Sequence, residues 1–242
     1  MSAHGSEPLR LRGTPLSLSI AMPGPAAGPP RLALDLAKAG AVAKGGPLSA
    51  RAVHADAGGG VALLRVEVSR STPPGTYHGT IEIGDDERPV VVEVEADPFL
   101  RMFPERLLLE GPPGGRLDVE LTLANLGNVA VDVAAVHAFG VFELGGVERA
   151  IRRGFAEEPP EGQRRIDTMV DRVAESHGGL VRVKMTEGAG TLEPVETHRL
   201  RAVFVLPDRL RPGSVYSGTW PLDYLRHYVR IVCTAPDTEV PR

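Results

Sequence analysis

Residues 116–133 read RLDVELTLANLGNVAVDV. Leu117, Val119, Leu121 and Leu123 alternate with Asp118, Glu120 and Thr122, which is the period of a strand with one buried face. Asn125-Leu126-Gly127-Asn128 follows as a turn, and Val129, Val131 and Val133 resume the alternation. The stretch predicts strand, turn, strand, paired as a hairpin. Outward from it the same period recurs. It runs through Leu16, Leu18 and Ile20, through Leu32, Leu34 and Leu36, and through Leu64, Val66 and Val68. Thr80–Ile83 and Val90–Val94 flank a Gly84–Glu87 turn, and further strands are expected at Leu180–Met185, Leu200–Leu206 and Val229–Cys233. With 28 Gly and 22 Pro in 242 residues, short strands and many turns are favoured over long helices. The expected fold is all-β, with two antiparallel β-sandwich domains.

An internal repeat sets the count of two. Pro74-Gly75-Thr76 is echoed by Pro212-Gly213-Ser214, Tyr77 by Tyr216, and Gly79-Thr80 by Gly218-Thr219. Val90, Val92 and Val94 then match Val229, Ile231 and Cys233. A Pro-Gly turn, an early Tyr and a hairpin into a last strand resemble the end of an immunoglobulin-like domain. Together with RLDVELTLANLGNVAVDV, the pattern is similar to tandem bacterial immunoglobulin-like and fibronectin-type-III-like β-sandwich repeats. The resemblance implies a fold and leaves the activity open, since such sandwiches host many functions. The expected layout is a flexible N-terminus over 1–12, a first sandwich over 13–97, a second over 98–236 and a flexible tail over 237–242.

Residues 145–177 break the alternation. Leu144, Val147, Ile151 and Phe155 recur at helical spacing, as do Ile166, Met169, Val170 and Val173. A helical insertion in the second sandwich is expected, with a helix starting after Pro159-Pro160 and stopping at Gly178-Gly179. It would serve either as a lid over the sheet or as a docking surface.

Composition excludes several classes. A net charge of −4 and a pI near 6.0 argue against generic polyanion binding, so no nucleic-acid partner is expected. No apolar run approaches the roughly 18 residues of a membrane span. The single Cys233 rules out an intrachain disulfide. With no secretory-signal pattern at the N-terminus, a cytoplasmic location is expected. Arg outnumbers Lys 24 to 3, which reads mainly as a GC-rich coding bias.

No catalytic motif emerges. Gly58-Gly59-Gly60 lacks the Gly-Lys-Ser/Thr of a phosphate loop, and no nucleophile elbow or His-Glu-x-x-His is present. His137, His177 and His198 could converge on a metal only from distant positions. Cys233 shares the parity of Val229 and Ile231 and reads as a small core residue. No catalytic residue, cofactor or metal ligand is assigned. Arg149, Arg152, Arg153, Arg164 and Arg165 cluster in the insertion, interleaved there with seven acids, as on a solvated face.

The strongest interaction signal is aromatic. Tyr216, Trp220, Tyr224 and Tyr228 fall together, with Leu225, Arg226 and His227 among them. Trp, Tyr and Arg dominate binding hot spots. The protein-interaction residues expected are therefore Tyr216, Trp220, Tyr224, Leu225, Arg226 and Tyr228, joined by Arg152 and Arg153. The reading is a non-catalytic accessory, scaffold or assembly module that docks a protein partner, or itself, through the second domain. The alternative is a carbohydrate-binding module stacking sugars on Trp220 and Tyr224, and a metal-dependent enzyme comes third.

Overall fold

The computed structural model describes residues 7–23, 34–38, 48–56, 61–83, 86–159 and 161–236. The chain is mostly β, and its contacts divide it into two compact units. The first comprises Met1–Phe99, Asn125–Val131 and Glu193–Glu196; the second comprises Leu100–Ala124, Asp132–Leu192 and Thr197–Arg242.

The first unit holds β1 (Leu9–Gly13), β2 (Ser19–Pro23), β3 (Leu34–Lys38), β4 (Leu48–Asp56), β5 (Val61–Glu67), β6 (Gly75–Ile83) and β7 (Asp86–Val94). Their order in the sheet is β1-β7-β6-β3-β4-β5-β2. β1 runs parallel to β7, with Leu11 opposite Val92. That strand takes Leu9–Arg12 out of the flexible N-terminus expected over 1–12, whose residues 1–6 lie outside the described residues. Leu9 and Leu11 alternate with Arg10 and Arg12, and Leu11 is buried, so a short strand closes the sheet there. The strand expected through Leu16–Ile20 begins only at Ser19. Ser17 bonds back to Thr14 through both its backbone N–H and its side chain, which makes a turn that leaves Leu16 exposed and returns Leu18 to the core. The first residues of the Leu32–Leu36 strand and the start of the 84–87 turn lie outside the described residues, as does the tail expected over 237–242.

The second unit holds β8 (Leu100–Phe103), β9 (Arg106–Gly111), β10 (Arg116–Asn125), β11 (Val131–Val133), β12 (Val136–Glu143), α1 (Gly146–Ala156), α2 (Arg165–Glu175), β13 (His177–Glu187), β14 (Gly190–Leu192), β15 (Thr197–Val205), β16 (Val215–Leu222) and β17 (Leu225–Cys233). The end of β10 and the start of β11 belong by contacts to the first unit. The main sheet runs β8-β10-β15-β13-β12-β16-β17-β9. Again the early strand, β9, is parallel to the last, β17, which is antiparallel to its hairpin partner β16. From that edge the order is β9-β17-β16-β12-β13-β15-β10, strand for strand the order of the first unit, with β8 added beyond β10. β13 is shared as β4 is: its early residues pair with β12 and its later ones with β15.

The hairpin expected from residues 116–133 does not form. β10 pairs with β15, Leu121 opposite Leu200, and β11 pairs with β14. The turn between them is held by asparagine side chains. Asn125 Nδ2 donates to Val129 O at 2.8 Å, and Asn125 Oδ1 accepts from Gly127 N at 3.0 Å. Buried Asn128 donates to Thr72 O and Glu95 O and accepts from Asp97 N, at 3.0, 2.8 and 2.7 Å. The buried Asn128 carboxamide is thus fully satisfied, while β10 and β11 take their ladder partners from β15 and β14.

Alternation puts Leu121, Leu123, Phe139, Val141, Val183, Phe204, Trp220, Val229 and Ile231 into the core of the second unit. Phe204 meets Trp220 edge to face, centroids 5.2 Å apart. Cys233 is buried as its parity predicts, and burial pushes its thiol up. Tyr77, early in β6, donates its hydroxyl to Pro73 O at 2.7 Å. The Tyr216 hydroxyl, early in β16, accepts from Arg211 N at 2.9 Å. A buried Tyr tied back to the backbone just upstream of the penultimate strand is the tyrosine corner of immunoglobulin-like sandwiches. With the strand order, it makes the fold immunoglobulin-like.

Candidate protein-docking surface

Between β12 and β13 the chain spends residues 144–176 on the two helices. α2 begins at Arg165, later than the Pro159-Pro160 start expected. Its start is fixed by Asp167, whose Oδ2 accepts from Arg164 N while its carboxylate pairs with the Arg164 guanidinium at 3.0 Å. That guanidinium holds the Asp167 carboxyl below its usual value. Nor do Gly178 and Gly179 stop a helix: both lie in β13. A Cβ at Gly178 would come within 2.7 Å of the Tyr216 ring, so the glycine is there for close packing.

α1 and α2 pack antiparallel through small residues. Gly146, Ala150 and Gly154 form the buried stripe of α1. A Cβ at Gly154 would lie 2.6 Å from Met169 Cγ, and one at Gly146 would lie 2.8 Å from Ser176 Cβ. At about 100° per residue, the position after each stripe residue turns to one side of the pair and the position before it to the other. Ile151 and Phe155 therefore share a side with Ile166 and Val170. All four are exposed, between 41% and 61%.

The opposite side carries the charge. Arg149, Arg153, Arg172 and Glu175 line a cleft of about 330 Å³ with Glu143 and Arg211. Glu143 bridges Arg149 at 2.9 Å and Arg211 at 2.6 Å. Arg172 is held by Glu157 and Glu175. Neighbouring acids thus occupy Arg149, Arg172 and Arg211, while Arg152 and Arg153 are exposed without an ion pair among the described residues.

The aromatic segment divides. Tyr216 and Trp220 are core residues, Trp220 at 0% exposure, so neither can present a face to a partner. The expected Trp220–Tyr224 sugar platform is corrected on that ground: a fully buried indole cannot stack on a ligand. Tyr224 is exposed in the Asp223-Tyr224 turn, Leu225 is half-buried and Arg226 is exposed. Tyr228 is exposed on β17 opposite Arg106, beside Arg230, which faces Leu108. Arg106, Leu108, Tyr228 and Arg230 line one shallow depression. Leu108 is absent from the residues expected from sequence, although three consecutive leucines at 107–109 exceed what alternation can bury, so one must face out.

Among the described residues the histidines do not gather at one point. His137 Nε2 bonds Ala134 O at 2.7 Å and its ring meets Trp220, while the His177 ring packs on Phe142. Among the described residues no three His, Cys, Asp or Glu are grouped to hold a metal ion. No described helix is long and apolar enough to cross a membrane.

No family model matches the chain, and no curated protein matches it. Solved structures that overlay on it include an ASH/PapD-like domain of human CEP192, at 14% identity and TM-score 0.29, covering 57% of this chain and 87% of that one. The complex of Dpr11 IG1 with DIP-gamma IG+IG2 overlays at 11% identity and TM-score 0.29, covering 94% and 96%. A titin fragment overlays at 9% identity and TM-score 0.31, covering 96% and 98%. These overlays are loose. The immunoglobulin-like character rests instead on strand order, ladder register and the two tyrosine hydrogen bonds.

Proposed function

We propose that the chain is a non-catalytic protein-interaction module built from two copies of one immunoglobulin-like unit, the second enlarged by a helical insertion that docks a protein partner. The matching strand orders support the two copies. The helices support the insertion, since they stand where the first unit has only residues 39–47 between β3 and β4. The carrying observation is the exposed apolar side of the helix pair: Ile151, Phe155, Ile166 and Val170. A lid would turn that side inward; here it faces out, where contiguous apolar surface marks an interaction site. A cytoplasmic location belongs to the same proposal, and cell fractionation tests it.

The test is affinity capture of the full chain against Phe155→Glu/Val170→Glu. Both positions are exposed, so the variant should fold and melt as the parent does. The parent should retain a protein that the variant loses. Equal capture by both would remove the helix pair as the docking surface.

A further inference from the structure

We infer that the occupant of the helix-pair face is a second copy of this chain, bound about a two-fold axis parallel to the helices so that the two helix pairs make a four-helix bundle. The inference rests on the docking role proposed above and names its partner.

Helix register selects this partner. Gly154 meets Met169 and Gly146 meets Ser176, which sets the axial level of every residue on one helix against the other. By that scale Arg152 of α1 stands level with Asp171 of α2. Each lies about 200° from its helix's contact line, so the two stand on opposite outer flanks of the pair, between its apolar and its charged side. Both are exposed, and neither makes an ion pair among the described residues. A two-fold axis along the helices lays α1 of each copy over α2 of the other at the same level. Arg152 of each then meets Asp171 of the other, twice by symmetry. Between these pairs Ile151 comes over Val170 and Phe155 over Ile166. An axis across the helices would instead lay α1 on α1 and leave Asp171 without Arg152. The charge pattern therefore selects both the second copy and its orientation, with the apolar centre and charged rim of a stable interface.

Sedimentation velocity of the full chain over a range of concentrations tests it. The parent should dimerise. Arg152→Glu and Asp171→Arg should each weaken the dimer by about tenfold or more. Mixed in equal amounts, the two variants should recover it, because the introduced glutamate of one chain then meets the introduced arginine of the other, while the native Arg152 and Asp171 that remain meet each other. Arg152→Glu/Asp171→Arg in one chain should recover it too. Circular dichroism checks that each single variant is folded. A parent that stays monomeric overturns the inference, as does a dimer indifferent to both single variants or unrescued by mixing. If such a monomer still captures a protein that Phe155→Glu/Val170→Glu loses, the docking role stands and only the second copy fails. If it captures none, the docking role fails as well.

Discussion

Tyr77 and Tyr216 hold the same place in two ladders: Tyr77 is opposite Val92, itself opposite Leu11, and Tyr216 is opposite Ile231, itself opposite Leu109. All six side chains are buried. In each row a parallel early strand, the last strand and the penultimate strand contribute one residue. Each tyrosine then ties its strand to the loop that leads into it, by donation to Pro73 O in one case and by acceptance from Arg211 N in the other. Tyr77→Phe and Tyr216→Phe should each cost about 1 kcal/mol, since each leaves one backbone group unpaired. The two bonds share no partner, so the losses should add in the double variant. Urea denaturation measures all three. A cost near zero for either would show that its corner is geometric only.

The likeness between the two halves is legible in the sequence because it is carried by side chains alike in kind: the Pro-Gly turn, the tyrosine and the alternating last strand. Partner choice is not. Alternation in residues 116–133 fixes which face of β10 is buried but says nothing of its neighbour, and three hydrogen bonds to Asn128 take the turn elsewhere. The aromatic segment misleads for a related reason. Trp220 and Tyr224 are four residues apart, but the strand ends between them, which puts one in the core and the other at the hairpin tip. The helix pair is visible as a period, while its exposed side depends on the Gly146, Ala150 and Gly154 stripe, which no hydrophobic count marks.

Asn128 supplies the second prediction. Asn128→Ala would strand Thr72 O, Glu95 O and Asp97 N–H together, and at about 0.5–1.5 kcal/mol per bond the loss should be roughly 2–4 kcal/mol. Asn128→Asp is the sharper variant, because it keeps the acceptor for Asp97 N and removes the donor to both carbonyls. It should be at least as damaging as alanine near neutral pH, since an ionised carboxylate would then face two carbonyl oxygens. Thermal melting near neutral pH compares them; an aspartate variant as stable as the parent would mean that the two carbonyls do not need the amide.

His227 sets a pH dependence. It is buried opposite Trp220, its Nε2 has no hydrogen-bond partner, and burial pushes its imidazole below the ordinary 6.5. The unfolded chain therefore binds a proton that the folded chain resists. Its contribution to stability is complete above pH 6.5 and is lost as pH falls from there through the folded value. Denaturation midpoints of the parent should drop between about pH 7.5 and about pH 5.5, an interval centred on the ordinary histidine value. His227→Phe keeps a ring beside Trp220 and removes the titrating group, so its midpoint should fall less over that interval. Parallel curves for parent and variant would exclude His227 as the source.

Gly154 tests the helix pair itself. A side chain there must push against Met169, whose Cα is 3.1 Å and Cγ 2.6 Å from the position of a new Cβ. Backbone cannot yield as a side-chain end can, so Gly154→Val should part α1 from α2 at a cost of about 1–3 kcal/mol. The damage should stay local. Hydrogen exchange should quicken at the amides of α1 and α2 while β16 and β17, whose ladder runs from Val215↔Val232 to Leu222↔Leu225, keep their protection. Met169→Ala in the same chain should restore part of the loss by clearing the Cγ contact. Helix amides that exchange as slowly in Gly154→Val as in the parent would mean that the two helices are not held together at this crossing.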